Sequence, residues 1–73
     1  MKIKRIVVAY GAQRVDIIEV GDLGDLGLLG MSGIVSQIVQ RGREHVYYEI
    51  TYADGNLVSE VNGRFVVQVD YER

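Results

Sequence analysis

The side chains that commonly act as nucleophiles or bases are scarce in this chain. It has no cysteine and a single histidine, His45, and its serines are Ser32, Ser36 and Ser59. Ser–His–Asp and Cys–His arrangements need a nucleophile held against a base that a third group orients. With one candidate base and a few dispersed hydroxyls, we predict that the chain is not an enzyme and has no catalytic residues.

Paired carboxylates are a second source of chemistry. Glu49 and Glu60 face each other if residues 54–55, Asp-Gly, form a tight hairpin turn. On the outer face of a small sheet, such a pair is more typical of a solvated and mildly repulsive contact. Zinc sites need clustered Cys or His, and Asp22 with Asp25 falls short of a calcium ligand set. We therefore predict no metal and no cofactor.

Glycine recurs at every third position between residues 21 and 33. The repeat matches neither of the common phosphate-binding glycine patterns. A helix there would contain several internal glycines, each costing about 0.5–1 kcal/mol relative to alanine. We predict a Gly/Leu-rich loop over residues 21–33. Its leucines either cover one end of the core or form an exposed apolar patch that binds a partner; they are Leu23, Leu26, Leu28 and Leu29.

Alternating apolar and polar residues in the second half predict consecutive β-strands. The clearest run has Val46, Tyr48, Ile50 and Tyr52 at every second position. Turns at residues 42–43 and 54–55 place this strand in a three-stranded meander. In that register Val35 lies opposite Ile50, and Ile38 points outward.

The segment 33–41 also fits a short amphipathic helix, which would give an α+β domain. Ile34, Val35, Ile38 and Val39 have the spacing of one helix face, between a possible cap at Ser32 and a stop at Gly42. All of these apolar residues are β-branched and lose rotamer freedom in a helix, and the segment is too short for local stability. We prefer the strand.

The order of the elements predicts a mainly β domain. Strands near residues 2–10 and 14–20 precede the glycine-rich loop and the meander. A brief loop or a single 3₁₀ turn at 62–63 then precedes a last strand over 65–71. This order resembles an SH3-like small β-barrel of about five strands and is similar to the KOW and Tudor domains. The resemblance rests on element order, and it implies transcription, ribosome or chromatin partners by analogy alone.

Length and composition indicate what supports the fold. Seventy-three residues make a single domain with a small core, and neither disulfides nor clustered histidines supplement it. We therefore predict a homo-oligomer or a protein partner. The formal net charge of −2 gives no overall attraction to nucleic acid or acidic lipid. No segment approaches the length of a transmembrane span, and we expect a cytoplasmic protein that does not bind membranes.

Two hypotheses for function follow. The first is a small protein-interaction module. Very small proteins without chemistry are often regulators of a larger machine such as transcription machinery, and some of these regulators are viral proteins that act on a host. Its candidate contacts are Leu23, Leu26, Leu28, Leu29, Ile38 and Tyr47, with Ile34, Val66 and any free sheet edge.

The second hypothesis is nucleic-acid binding, in which arginine contacts phosphate and tyrosine stacks on a base. The candidate residues are Arg41, Arg43, His45 and Tyr47. The simpler interpretation of the two arginines is a solvated hairpin tip, in which Arg41 pairs with Glu44.

Overall fold

A computed structural model of the chain describes residues 1–26, 31–53 and 58–73. These residues form the strands β1 (Ile3–Ala9), β2 (Val15–Glu19), β3 (Leu23–Leu26), β4 (Met31–Arg41), β5 (Tyr47–Tyr52), β6 (Val58–Asn62) and β7 (Val66–Tyr71), and a 3₁₀ turn at Gly63–Phe65. All strand pairs are antiparallel, in a three-stranded sheet β2-β1-β7 and a four-stranded sheet β3-β4-β5-β6. The prediction of a mainly β fold is confirmed.

The choice of strand over helix for residues 33–41 is also confirmed, because β4 runs through them. Of the two alternatives predicted before the last strand, a brief loop or a single 3₁₀ turn, the structure has the 3₁₀ turn. Asn62 caps it, and its side-chain Oδ1 accepts a hydrogen bond from the Arg64 N–H at 3.0 Å. No helix long and apolar enough to cross a membrane occurs among the residues that the structure describes.

The glycine-rich segment contains strands where the sequence predicted a loop. Leu23 lies opposite Ile34, and Gly24 lies opposite Gly33. Glycine weakens a strand in general, but here it permits a close approach: a Cβ on Gly33 would lie 3.3 Å from the Tyr52 ring. Residues 27–30, which include Leu28 and Leu29, lie outside the described residues.

The pairing of β4 with β5 differs from the predicted register. Ile38 lies opposite Ile50, so the connecting turn spans residues 42–46. A two-residue type I′ turn needs positive φ at both central residues, and among these turn residues only Gly42 has it. A bulge between Val35 and Gln37 also changes which residues face inward. Ile38, predicted to point outward, is therefore a core residue with 4% of its surface exposed.

The core lies between the two sheets. Its most fully buried side chains are Tyr52, Ile6, Ile18, Ile50, Val8 and Val35. The pairing of β5 with β6 follows the register expected from the sequence, with Glu49 opposite Glu60 and Ile50 opposite Ser59. Ser59 is buried with the core, and its hydroxyl donates to the Tyr52 hydroxyl at 3.4 Å. The last strand returns to the first, because β7 pairs with β1.

Candidate binding surfaces

A cleft of about 600 Å³, here called the β4 cleft, lies beside the second half of β4. Consecutive residues of that strand, 36–40, form one wall. The remaining lining comes from the chain ends and from the residue after β2: Met1, Lys2, Ile3, Val20, Tyr71 and Glu72. A wall made of consecutive strand residues means that main chain, as well as side chains, borders the cleft.

This wall is open because β4 changes partners along its length. β3 pairs with the first part of β4, as far as Ile34. One further residue, Val35, is held by backbone hydrogen bonds: its N–H donates to the Asp22 carbonyl at 3.0 Å, and its carbonyl accepts from the Gly21 N–H at 2.8 Å. Beyond Val35, no strand of the described residues pairs with this edge, whereas β5 covers the opposite edge as far as Arg41.

The open edge presents backbone hydrogen-bonding groups to the cleft. In an antiparallel pair, the N–H and C=O groups of alternate residues point toward the partner strand, and those of the intervening residues point away from it. Over residues 36–41, the groups that point away from β5 have no strand opposite them in the described part of the chain. Such an edge is a template for another extended segment.

The floor of the β4 cleft is apolar and its rim is polar. Ile3 and Ile38 are buried core residues that reach its floor. The rim carries exposed polar side chains of both charges and two amides: Lys2, Gln37, Gln40 and Glu72. The wall opposite β4 is held in place, because the Glu72 N–H donates to the Lys2 carbonyl at 2.8 Å. An apolar floor with a few polar groups is typical of ligand sites.

A second surface is the apolar pair Leu23 and Ile34. These residues lie directly opposite each other across β3 and β4 and are 65% and 48% exposed. Val58 of β6 is also exposed on this sheet. Of the leucines proposed as contacts, Leu23 is thus at the surface, the structure describes only the backbone of Leu26, and Leu28 and Leu29 lie outside the described residues. Their role in binding stays a prediction.

The residues predicted to bind nucleic acid lie in the turn over residues 42–46 and directly beside it. Arg41 lies opposite Tyr47, and its Nε is 3.3 Å from Glu49 Oε2. It therefore pairs across the strands with Glu49, where the sequence suggested Glu44. Arg43 and His45 are exposed in the turn over residues 42–46. The Glu49 carboxylate partly neutralises Arg41, and the role of these residues in binding stays a prediction.

An aromatic pair not anticipated from the sequence lies at the end of the two sheets. The ring centroids of Tyr10 and Phe65 are 5.9 Å apart, with the planes tilted by 41°. The Arg14 Cζ lies 5.9 Å from the Tyr10 centroid, and the Arg64 Cζ lies 5.1 Å from the Phe65 centroid. We call these four residues the aromatic–arginine surface. Burial, followed by the nearby Asp16 carboxylate, raises the pKa of Tyr10.

Arg5 links the three strands of the smaller sheet on its outer face. Its Nε donates to Asp70 Oδ2 at 2.7 Å, and its Nη1 lies 3.3 Å from Glu19 Oε1. Gln68 Nε2 donates to both carboxylate oxygens of Asp70, at 3.0 and 3.2 Å. The hydrogen bonds from Gln68 and from Arg5 lower the pKa of Asp70. Each of the four side chains has a hydrogen-bonding or charged partner within the group. We therefore assign the group to folding rather than to binding.

The lowered pKa of Asp70 predicts a pH dependence of stability. A carboxyl group whose pKa is lower in the folded protein stabilises the fold above its unfolded pKa of about 4, and this contribution is lost as the pH falls through the folded value. We expect the melting temperature of the wild type to fall more steeply below that pH than the melting temperature of Asp70→Asn. Thermal melts followed by circular dichroism between neutral and acidic pH would measure both slopes.

The control for this experiment is Glu44→Gln, which removes an exposed carboxylate from the turn over residues 42–46. It should retain the steep acid response of the wild type. Parallel acid responses of the wild type and Asp70→Asn would contradict the role of the Arg5–Asp70 contact.

Neither a metal site among the described residues nor a similar protein indicates a function. Among the residues that the structure describes, no group of three or more His, Cys, Asp or Glu side chains could hold a metal ion. Comparisons of the chain with protein-family models, with curated proteins and with solved structures gave no match.

Proposed function

We propose that the chain is a small non-enzymatic protein-interaction module whose β4 cleft binds an extended segment of a partner protein as an added strand. The observation that carries this proposal is the edge of β4 over residues 36–41, which no strand of the described residues covers and which borders a cleft of about 600 Å³. Extended peptides bind exposed sheet edges through main-chain hydrogen bonds, and pockets for alternate side chains give specificity.

The size of the site fits a short segment. The wall over residues 36–40 is about 17 Å long at roughly 3.3 Å per residue, which matches four to six residues of an extended peptide. Because successive side chains of a strand point to opposite faces, every second peptide residue would contact the apolar floor at Ile3 and Ile38. We therefore expect a peptide that alternates apolar and polar residues.

The rim favours neither an acidic nor a basic peptide. Lys2 and Glu72 lie on the same wall, next to each other through their backbone hydrogen bond. The amides Gln37 and Gln40 can each donate and accept hydrogen bonds. Selectivity should therefore come from the apolar residues of the peptide and from a few hydrogen bonds, with little dependence on salt.

We further propose an SH3-like small barrel, which the order of elements supports. The paired strands β1 and β2 precede the meander β4-β5-β6, a 3₁₀ turn precedes β7, and β7 pairs with β1. A barrel of this kind needs no chemistry of its own in order to bind a partner. Such binding is what a small cytoplasmic regulator of a larger machine, such as transcription machinery, would require.

Peptide selection tests the proposed function. A random-peptide phage library would be selected on the immobilised chain, and the selected peptides would be synthesised and titrated by fluorescence anisotropy. We expect micromolar binders with alternating apolar residues. Nuclear magnetic resonance shifts on binding should concentrate at residues 36–40 and at Lys2 and Glu72. Shifts concentrated at Leu23 and Ile34 instead would contradict the cleft as the site.

Backbone methylation of a selected peptide provides the sharper measurement. Two versions would carry N-methyl groups on the odd-numbered or on the even-numbered residues. Only alternate amides of an added strand face β4, and each lost hydrogen bond costs about 0.5–1.5 kcal/mol. One version should therefore lose about tenfold or more in affinity, and the other should bind nearly as well as the parent peptide. Equal affinity of both versions would exclude strand addition.

A matched variant of the chain separates this site from the apolar surface. Leu23→Ser combined with Ile34→Ser removes the exposed pair on the outer face of β3 and β4. If the β4 cleft is the site, this variant should bind the selected peptides with unchanged affinity. Loss of binding by a variant that remains folded would move the interaction site to the Leu23–Ile34 pair.

A further inference from the structure

We propose that the aromatic–arginine surface, Tyr10, Arg14, Arg64 and Phe65, binds single-stranded nucleic acid. This site lies apart from the β4 cleft and has none of its lining residues. Its assignment does not depend on whether the chain also binds a peptide.

Each arginine of the surface places its guanidinium group over an aromatic ring. Arg64 lies 5.1 Å from the Phe65 ring centroid, and Arg14 lies 5.9 Å from the Tyr10 centroid. A planar guanidinium placed over a ring keeps its other face and most of its N–H donors available. A base can stack on an aromatic ring or on an arginine plane, while the remaining donors bind a phosphate.

The two rings hold the guanidinium groups side by side. The ring centroids are 5.9 Å apart and the planes are tilted by 41°, so the rings do not stack face to face. Each ring is half-buried, which fixes the position of the ring and of the guanidinium over it. Neighbouring bases can stack on the outer faces of the two guanidinium planes, and only unpaired bases can do so. The surface therefore suits a single strand rather than a duplex.

The local charge is balanced. In the part of the chain that the structure describes, Arg64 forms no ion pair with a carboxylate. The Arg14 Nε lies 3.8 Å from Asp16 Oδ2, which offsets part of its charge. Glu44 adds a further negative charge nearby. The two arginines of the surface are thus matched by two carboxylates, so the attraction to phosphate comes mainly from the Arg64 guanidinium and is modest.

A depression beside Arg64 extends the surface. It has a volume of about 430 Å³ and is lined by Glu44, His45, Val46, Asn62, Gly63 and Arg64. The imidazole of His45 and the amide of Asn62 can hydrogen-bond to a base or to a sugar. His45 belonged to the set that the sequence suggested for nucleic-acid binding, whereas Arg41 and Tyr47 of that set lie on β4 and β5. The proposed site therefore uses a different pair of arginines and a different tyrosine from the set predicted from the sequence.

Fluorescence anisotropy with labelled oligo(dT) and oligo(U) of about ten nucleotides tests this proposal. We expect micromolar binding to at least one of them at about 50 mM salt. Two phosphate contacts on a single strand predict a loss of about sevenfold when the salt is raised to about 200 mM. A duplex of the same length should bind more weakly than the better single strand. No binding below about 100 µM, or tighter binding of the duplex, would overturn the proposal.

Matched variants locate the site. Arg64→Ala removes one guanidinium, and Phe65→Leu keeps apolar contact with the core while it removes the ring that holds the Arg64 guanidinium. Each should weaken binding at least fivefold. Arg41→Ala removes an equal charge from a residue paired with Glu49 on the other side of the turn, and it should change affinity less than twofold. Equal losses of affinity in Arg64→Ala and Arg41→Ala would show that the oligonucleotide responds only to the overall charge, and they would overturn the location of the site.

Circular dichroism melts of the variants complete the test. Phe65 packs against the core, so its variant is interpreted only if it melts as a folded protein. Arg64 is exposed, and its replacement leaves the core unchanged. The Arg64→Ala result therefore decides the proposal even if Phe65→Leu does not fold.

Discussion

The Ile50→Ala variant is expected to lose about 2–5 kcal/mol of the free energy of unfolding. Ile50 lies in the middle of β5 with none of its surface exposed, between Ile38 on β4 and Ser59 on β6. Removing its side chain leaves a cavity that strands hydrogen-bonded on both sides cannot close. A domain of 73 residues has about 4–11 kcal/mol in total, so the variant could lose half of its stability or more.

Urea denaturation of the variant and of a matched control measures this effect. Ile17→Ala makes the same substitution on β2, where 62% of the side chain is exposed. The control should lose less than about 1 kcal/mol, which reflects strand propensity alone. Similar losses in the two variants would contradict the position of Ile50 in the core.

The Gly42→Ala variant is expected to be markedly less stable than Gly21→Ala. Both glycines have nearly the same positive φ, 91° and 94°, so alanine at either position incurs the left-handed strain of about 1–2 kcal/mol. They differ in the space around them. A Cβ on Gly42 would lie 2.2 Å from the His45 carbonyl oxygen, whereas a Cβ on Gly21 would meet nothing within 4 Å. Relief of that clash requires the turn over residues 42–46 to open, at a further cost of about 1–3 kcal/mol.

The difference between these two variants isolates the clash, because the backbone strain cancels. Chemical denaturation of both variants and the wild type gives the two free-energy losses under one set of conditions. A Gly21→Ala loss as large as that of Gly42→Ala would mean that steric contact with His45 contributes nothing. Such a result would contradict the tight packing of the turn over residues 42–46.

The elements that could be predicted from the sequence depend on local patterns. The alternation from Val46 to Tyr52 identifies β5 and its buried face, and the pairing with β6 follows from a turn between them. The β-branched residues of segment 33–41 favoured the strand that the structure shows as β4. The poor fit of a tight turn at residues 62–63 indicated the 3₁₀ turn. Each of these inferences needs only neighbours within a few residues.

The errors arose where a feature has no local signature. One extra residue in the bulge after Val35 places Ile38 inside, and nothing in an apolar run indicates where a bulge occurs. Gly33 was taken as a loop residue, although the Tyr52 ring that explains it is distant in sequence.

The two surfaces proposed for binding could not be predicted from the sequence for a related reason. The pairing of β1 with β7 closes the chain ends against each other, and it brings Tyr10 beside Phe65 and Arg5 beside Asp70. The β4 cleft exists because the pairing of β3 with β4 stops at Ile34, whereas β4 continues to Arg41. Both surfaces result from contacts between segments that are distant in the chain. Such contacts leave no periodic pattern in a single sequence.

The residues around the open edge of β4 affect the solubility of the chain. A strand edge at the periphery of a molecule can pair with the edge of another copy, and this is a common start of aggregation. Here the edge borders a cleft whose opposite wall contains Lys2 and Glu72. Charged side chains beside an edge disfavour its pairing with the sheet of a second molecule, because burying them without partners is costly. The wall that borders the peptide site thus also acts against edge-to-edge aggregation.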